Sequence, residues 1–220
     1  MKTFYKRREI EEEDGHEWLV TFADAMTLLL AFFVMLVSSS KIDLVTFEQV
    51  QAGIARDLGQ RTVARPAAQL RAQLEAMVDS MGVADAVRVD TFDRGIMLEL
   101  AASTFFRSGS AEIRPESRTI LVTTSEALVA PRYSTFKIAV EGHTDDTPPL
   151  IARYATNWEL SGARAANIVR LFAQGDIPAR RMRAVAFADS MPKLPNRDGA
   201  GQALSENQSK NRRIVIRIHR

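Results

Sequence analysis

The sequence predicts an α+β protein with one N-terminal transmembrane helix followed by a two-layer α/β sandwich on a mixed sheet. An apolar run from Trp18 to Ser40 is long enough to cross a bilayer, since about 20 helical residues span a hydrocarbon core of roughly 30 Å. From residue 87 onward, short strand-like runs alternate with helical segments. Because the 220-residue chain has no cysteine, we expect an ordinary hydrophobic core to stabilise this second part.

The apolar run is predicted to remain as a membrane anchor, transmembrane over residues 18–40. It is longer than the core of a signal peptide, and no small-residue cleavage pattern follows it. More basic residues precede the run than follow it: Lys2, Lys6, Arg7 and Arg8 against Lys41 and Arg56. The positive-inside rule therefore predicts a cytoplasmic tail at residues 1–17, a single pass through a bacterial inner membrane, and a periplasmic C-terminal domain.

Asp24 is the only ionisable residue in this run. A carboxylate inside a membrane costs about 2.5–3.5 kcal/mol, so it is rarely kept unless it meets a partner helix, a water path or an ion. One helical turn places Thr21 and Thr27 beside Asp24, where their hydroxyls could help to hold a cation, or could instead bond their own helix carbonyls. The pattern predicts ion or proton handling, with an assembly role near one interface as the alternative.

Residues 41–67 are predicted to form a linker with a short amphipathic helix, which either lies on the membrane or packs on a partner as a plug. Its apolar residues recur at helical spacing: Phe47, Val50, Ile54 and Leu58. A second helix follows, with an apolar face from Leu70 to Met81 and an end at Gly82. This helix is expected to lead into the folded domain, residues 68–220.

The folded domain is predicted to follow a β-α-β-α-β order, with its helices on one face of the sheet. VRVDTF and GIMLELA form two strands around a turn at residues 93–95. A helix begins at Pro115, because proline is favoured at the first helical position. The remaining elements are a buried strand, an amphipathic helix and two final strands: FKIAVEGHT, ELSGARAANIVRLFAQG, RMRAVAF and RRIVIRIHR.

A candidate binding site follows the buried strand. The segment EGHTDDTPP places Asp145 and Asp146 just beyond the strand end, and loops at strand ends often carry binding groups. Arg164, in the next helix, offers a guanidinium suited to a ligand carboxylate. An acidic group and an arginine together complement a zwitterionic amino-acid end, although turn capping and a simple surface ion pair would explain the same residues.

Other chemistries find little support in the sequence. The net charge is only +2 and the charges are interspersed, which does not favour nucleic-acid binding. His143 and Asp145 make a weak metal site without cysteine or a second histidine nearby. The chain has no G-x-S-x-G motif and no phosphate-binding glycine loop, so we expect no enzyme, no catalytic residue, no metal and no cofactor.

The segment EWLVTFADAMTLLLAFFVMLVS resembles the single span of the MotB and PomB class of flagellar motor stator subunits. Four later segments are similar to the OmpA-like peptidoglycan-binding domain of those subunits: FFRSGSAEIRPES, EGHTDDTPP, NWELSGARAANIV and NQSKNRRIVI. Together the two sets cover roughly the first 40 residues and residues 88–220. The segment FADSMPKLPN departs from the glycine- and tyrosine-rich turn of the family, which affects one wall of the expected pocket.

This resemblance implies a mechanism. Asp24 would bind and release a transported ion, H+ or Na+, while two copies of the subunit lie inside a ring of MotA/PomA-like multi-span partners. The C-terminal domain would hold the complex on peptidoglycan, converting ion-motive force into rotation, and residues 44–58 would plug the idle channel. The residues matched to the peptide-stem or diaminopimelate pocket are Asp145, Arg164, Thr144, Asn157, Leu160, Ser161 and Arg212.

Two alternatives stay open at this point. The same ion-driven unit could power another machine, such as a Tol/Exb-like energiser or a Zorya-type defence complex, and the short linker keeps that option open. A passive membrane-to-wall tether is the other alternative. Asp24 discriminates against the tether, which has no use for a carboxylate in its membrane span.

Overall fold

The structure, a computed structural model, describes residues 17–39, 50, 66–149 and 153–220. It separates into two compact units, residues 1–41 and residues 42–220. The first unit contains helix α1, Glu17–Ser39, which is long and apolar enough to cross a membrane. Its side chains from residue 18 to residue 38 are all exposed. The N-terminal apolar helix of the predicted fold class is thus confirmed.

Most of the predicted plug lies outside the described residues, namely Phe47, Ile54 and Leu58. Val50 is described as a helical, exposed residue. The plug therefore stays a prediction, as does the orientation of α1 in the membrane.

Helix α2, Pro66–Ser80, opens the continuously described part of the second unit, two residues before the predicted domain start at residue 68. Proline suits the first helical position, and Ala67 beside it is fully buried. The later elements follow in chain order: β1 Val87–Phe92, β2 Gly95–Ala101, α3 Ala102–Phe105, α4 Pro115–Val129, β3 Lys137–His143, α5 Asn157–Gln174, β4 Met182–Ala188, α6 Ser205–Asn211 and β5 Arg213–His219. The short helices α3 and α6 are additions to the predicted order.

In the described residues, five strands form one mixed sheet in the order β1-β2-β5-β3-β4. Only β3 and β4 are parallel; the other three pairings are antiparallel. Parallel neighbours need a crossover connection, which α5 supplies between β3 and β4. The predicted α+β fold with a mixed sheet is confirmed, and β5 occupies the centre of that sheet.

The hydrophobic core lies between one face of the sheet and the helices. Side chains on one face of a strand alternate with those on the other, so β2, β3 and β5 each present every second residue to this core. The cluster includes Ile96, Leu98, Leu100, Ile138, Val140, Ile214, Ile216 and Ile218 from the sheet, with Leu70, Leu74, Leu121, Leu128, Ile168 and Phe172 from the helices. The second unit therefore has a hydrophobic core of its own.

Gly142 brings α5 close to the end of β3. A Cβ atom at Gly142 would lie 2.1 Å from the Ser161 carbonyl oxygen, closer than van der Waals contact permits. The Ser161 hydroxyl also accepts a hydrogen bond from the Ala188 backbone N–H at 3.2 Å, which ties α5 to the end of β4. These contacts fix the first turns of α5 beside the loop that follows β3.

The opposite face of the sheet carries an ion pair between a buried carboxylate, Glu141, and a half-buried arginine, Arg217. Arg217 Nε donates to both Glu141 carboxylate oxygens, at 2.9 and 3.0 Å. The His143 ring stacks on Phe187, and its Nε2 atom lies 3.9 Å from a Glu141 oxygen. Burial alone raises the pKa of Glu141, but His143 and Arg217 together outweigh it and hold that pKa below its ordinary value.

Arg181 closes the sheet end at which β3 and β4 begin. Its buried guanidinium donates to the backbone carbonyls of Phe136, Leu128 and Tyr133 at 2.7 to 3.2 Å. The Leu128 carbonyl lies in the last turn of α4, where carbonyls have no partner within the helix, and Phe136 directly precedes β3. The Tyr133 carbonyl also accepts from the Phe136 backbone N–H at 3.0 Å. Arg181 thus replaces secondary-structure hydrogen bonds at this end.

Candidate functional site

A cavity of about 460 Å³ opens at the other end of the sheet, where β3 ends and β5 begins. Its walls come from residues 102–109, the loop after β3, and the first two turns of α5. Arg114, Gln208 and Arg212 complete the lining. This volume lies in the range of roughly 300–1,000 Å³ that is typical of ligand pockets.

Six of the seven residues predicted for the peptidoglycan pocket line this cavity: Thr144, Asp145, Asn157, Leu160, Arg164 and Arg212. Ser161 does not line it. One residue after Leu160, the chain has turned by about 100° around the helix axis, and Ser161 therefore faces Gly142 and Ala188 of the sheet. Ser161 therefore holds α5 against the sheet and does not form part of the cavity wall.

Asp145 is buried and already paired. One carboxylate oxygen accepts from Arg212 Nη1, and the other accepts from the Thr147 backbone N–H at 3.1 Å. Each carboxylate oxygen has a second acceptor site, so a ligand ammonium still finds capacity here. The Asp145 charge is therefore shared between the protein and any cationic ligand group.

Asn157 and Thr144 hold the backbone of the loop that carries Asp145. The Asn157 amide donates to the carbonyls of Asp145 and Thr147 at 3.1 and 3.0 Å. The Thr144 hydroxyl donates to the same Asp145 carbonyl at 2.9 Å. Thr156 caps α5 by accepting from the Glu159 backbone N–H, which sets Asn157 at the helix start.

Asp146 does not pair with the residues that contact Asp145; it bonds Arg197 and Gln208 beside the cavity. Its carboxylate accepts from Arg197 and, at 2.8 Å, from the Gln208 amide. Burial would raise the pKa of Asp146, yet the hydrogen bonds from Gln208 and Arg197 lower it below its ordinary value. Asp146 therefore braces the segment 189–204 against the loop after β3.

Arg164 is only 4% exposed, although it lines the open cavity. Its guanidinium donates to the carbonyls of Ser110 at 2.8 Å and Arg107 at 3.5 Å, and lies 5.2 Å from the centre of the Phe106 ring. In the described parts of the chain no carboxylate is within ion-pair distance of it. Burial lowers the pKa of Arg164 to about 10, so the group stays charged at neutral pH. A buried cation that faces a cavity without an ionic partner is suited to a ligand carboxylate.

The sequence reasoning did not assign Arg107 and Arg114, which also line the cavity. They lie on either side of a glycine turn immediately before the predicted helix start at Pro115. Two arginines placed around such a turn were the signal in the sequence that could have indicated a binding role. Arg213, the second arginine of the NRR segment, instead donates to the carbonyls of Asn211 and Met191. It therefore has a structural position, whereas Arg212 belongs to the cavity.

In α1 the two threonines beside Asp24 bond the helix backbone. Thr21 donates to the Trp18 carbonyl at 2.9 Å and Thr27 donates to the Asp24 carbonyl at 2.8 Å. Each hydroxyl oxygen keeps acceptor capacity, so an ion-binding role for both stays a prediction. Among the residues described, no group of three or more His, Cys, Asp or Glu side chains is placed to hold a metal ion.

The described residues combine one helix that is long and apolar enough to cross a membrane with a mixed sheet that has a ligand-sized cavity at its strand ends, an arrangement typical of membrane-attached binding proteins. Residues 105–215 match the OmpA family, and residues 5–58 match a family described as membrane MotB of the proton-channel complex MotA/MotB. The chain therefore belongs to the OmpA family and, with the second match ahead of that domain, to the MotB family of stator subunits.

Two relatives from Bacillus subtilis strain 168 align along nearly the whole chain. The uncharacterized protein YtxE is 28% identical over 225 residues, which cover 94% of this chain and 89% of YtxE. Motility protein B is 26% identical over 255 residues, which cover 97% of this chain and 94% of the relative.

Two solved structures share the fold of the C-terminal domain. A MotB-like protein from Desulfovibrio vulgaris superposes with a TM-score of 0.61 at 26% identity, covering 70% of this chain and 91% of that protein. The cell wall anchor of the T6SS from Pseudomonas aeruginosa superposes with a TM-score of 0.55 at 28% identity, covering 65% and 94%. A MotB-like protein and a cell wall anchor thus share this architecture.

Proposed function

We propose that this chain is the ion-conducting, wall-anchored stator subunit of a flagellar motor. Asp24 binds and releases the coupling ion, H+ or Na+, and the C-terminal domain holds the complex on peptidoglycan. The ion-motive force is thereby converted into rotation. The observation that carries the proposal is one carboxylate in an otherwise apolar helix, on a chain of the MotB family.

The energetics support an ion at Asp24. A carboxylate in the span costs about 2.5–3.5 kcal/mol, and binding of H+ or Na+ neutralises it. The membrane potential supplies about 2.3 kcal/mol per charge per 100 mV, which is of the same size. Because α1 leaves its side chains exposed, we expect a MotA/PomA-like ring and a second copy of this chain to surround it in the membrane.

The cavity supports the anchoring half of the proposal. Arg164 has no ionic partner in the described residues and receives a carboxylate of the peptide stem. Asp145, which shares its charge with Arg212, receives the ammonium of diaminopimelate. Together they complement the zwitterionic end of that residue.

Residues 44–58 form the plug in this proposal, in keeping with the family match that extends to residue 58. Their deletion should raise ion leak when the complex is overexpressed, which slows growth and acidifies the cytoplasm in a proton-driven system. Unchanged growth and unchanged cytoplasmic pH and sodium would contradict a plugging role.

The deciding experiment measures swimming speed in a strain that lacks the gene, complemented at matched expression. Wild type should restore rotation, Asp24→Asn should not, and Asp24→Glu should restore part of it because a carboxylate is kept. Asp85→Asn, an exposed aspartate outside the span, is the matched control and should swim normally. Full swimming with Asp24→Asn would overturn the proposal.

A passive tether between membrane and wall is the second candidate, favoured by the likeness to the T6SS cell wall anchor. A tether should tolerate Asp24→Leu in every assay of envelope integrity. If Asp24 proves essential for a phenotype other than swimming, the same ion-driven unit serves a Tol/Exb-like or Zorya-type machine instead. The Asp24 variants therefore separate all three functions.

A further inference from the structure

The cavity is more cationic than a zwitterionic ligand end requires. Four arginines line it, Arg107, Arg114, Arg164 and Arg212, against one carboxylate, Asp145. The formal charge of its lining is therefore +3. Only the Arg212 charge is paired within the described residues, through its contact with Asp145.

Arg107 and Arg114 have unused donors. In the described residues their side chains make no hydrogen bond and no ion pair, and the Arg114 Nε atom is buried without an acceptor. A buried donor that has lost water and found no partner is costly, so native structures rarely keep one outside binding sites. Because Arg114 also lines the cavity, a ligand oxygen is the acceptor that its position allows.

The turn that carries these two arginines is fixed before any ligand arrives. The Arg114 backbone N–H donates to the Phe105 carbonyl at 2.9 Å, and Phe106 pairs with Ile113 in a β-bridge. Gly109 supplies the positive φ of 65° that the turn needs. From α5, Asn167 and Arg164 donate to the carbonyls of this turn. Both guanidinium groups are therefore presented from a rigid support.

We propose that Arg107 and Arg114 form a second carboxylate subsite beside Arg164. The cavity then selects a stem peptide with two free carboxylates over one in which either is amidated. This inference rests on the proposed wall-binding function, and it adds the charge state of the ligand. A guanidinium binds a carboxylate with paired hydrogen bonds, whereas an amide brings its own N–H donors against those of the arginine and leaves donors unpaired.

The test uses the full chain in detergent and a soluble probe, the tripeptide L-alanyl-γ-D-glutamyl-meso-diaminopimelate. Calorimetry compares the peptide with free carboxylates and its three singly amidated forms. We expect at least two of the amidations to weaken binding by about tenfold each, the size of one lost charge-assisted interaction.

Variants then assign each loss to its arginine. In Arg107→Gln/Arg114→Gln, one of the two amidation penalties should disappear while the other persists, and the free peptide should bind at least tenfold more weakly. Arg164→Lys should reduce the other penalty. Arg183→Gln, an exposed arginine on β4 that does not line the cavity, is the matched control and should leave all four affinities unchanged.

The possible outcomes distinguish a failure of the second carboxylate subsite from a failure of the proposed wall binding. If the free peptide binds and only one amidation matters, or both penalties persist in the double variant, the second subsite is wrong and wall binding stands. If the double variant weakens all four peptides equally, Arg107 and Arg114 act only through general charge, which also overturns the subsite. If the free peptide does not bind, both the subsite and the proposed wall binding fail.

Discussion

Two buried arginines at opposite ends of the sheet, Arg181 and Arg164, are used in different ways. Both are nearly inaccessible, at 6% and 4% exposure, both bond backbone carbonyls, and burial lowers the pKa of each. Arg181 makes four contacts to three carbonyls in a closed environment, whereas Arg164 makes two and faces a cavity. Burial therefore does not distinguish an arginine that stabilises the fold from one that binds a ligand. The two are distinguished by how many N–H donors of the guanidinium are left for a ligand.

Arg181→Met should have the largest effect on stability. It leaves the carbonyls of Leu128 and Phe136 without the donor that Arg181 supplies, whereas the Tyr133 carbonyl keeps the Phe136 backbone N–H. We therefore expect the free energy of unfolding to fall by about 3 kcal/mol. Urea unfolding followed by circular dichroism measures this, with Arg180→Met, its exposed neighbour, as the control. A loss below about 1 kcal/mol would show that water replaces these hydrogen bonds. Arg181 would then not differ from Arg164 as a structural residue.

Glu141→Gln tests a buried carboxylate that pairs with a half-buried arginine and lies outside the cavity, and its effect on stability should be intermediate. Because the folded pKa of Glu141 is lowered, its carboxylate stabilises the fold above its ordinary value of 4.5, and this stabilisation is lost as pH falls through the folded pKa. Wild type should therefore lose stability between about pH 5 and pH 3 more steeply than the variant. At pH 7 the variant should be less stable by about 1 kcal/mol.

Parallel pH curves for wild type and Glu141→Gln would mean that the carboxylate titrates alike in the folded and unfolded chains. Arg217→Gln is the complementary variant, since it removes the partner that donates to both Glu141 oxygens. Its acid profile should resemble that of Glu141→Gln.

Arg164→Met should have the smallest effect on stability and a large effect on binding. It removes a buried cation that has no ionic partner in the described residues, and the Arg107 carbonyl keeps the Ser110 backbone N–H as a donor at 3.0 Å. We expect water to replace the lost bond to the Ser110 carbonyl. We expect the free energy of unfolding to change by less than about 1 kcal/mol. Cosedimentation with purified peptidoglycan should nevertheless fall at least tenfold, while Arg180→Met binds normally. A strongly destabilised Arg164→Met would place Arg164 with Arg181 as a structural residue.

Local pattern was sufficient for the elements that frame the cavity. The buried strand before Asp145 and the amphipathic helix that carries Arg164 follow from periodicity and a glycine stop, and the predicted α+β class with a mixed sheet is confirmed. The order of the strands did not follow from it, because the insertion of β5 between β2 and β3 depends on contacts between distant segments.

Contacts between distant segments also explain why the predicted and the observed cavity residues differ. Ser161 shares a motif with Leu160 but lies on another side of α5, and a matched motif does not show which way each residue faces. Arg107 and Arg114 reach the cavity only because their turn packs on α5, for example through the contact of Ser110 with Arg164, 54 residues later. Such long-range contacts leave no periodic trace in the sequence.

The central position of β5 has a consequence for how the protein is made. β5 is the latest of the five strands in chain order, yet it joins the β1–β2 hairpin to β3 and β4, and Arg212 immediately before it pairs with Asp145. During synthesis, the earlier strands emerge as two halves without the strand that connects them. We therefore expect the complete sheet to form only after the whole domain has been synthesised, so that a chain cut short before residue 213 is degraded by proteases instead of persisting as a weakly binding protein.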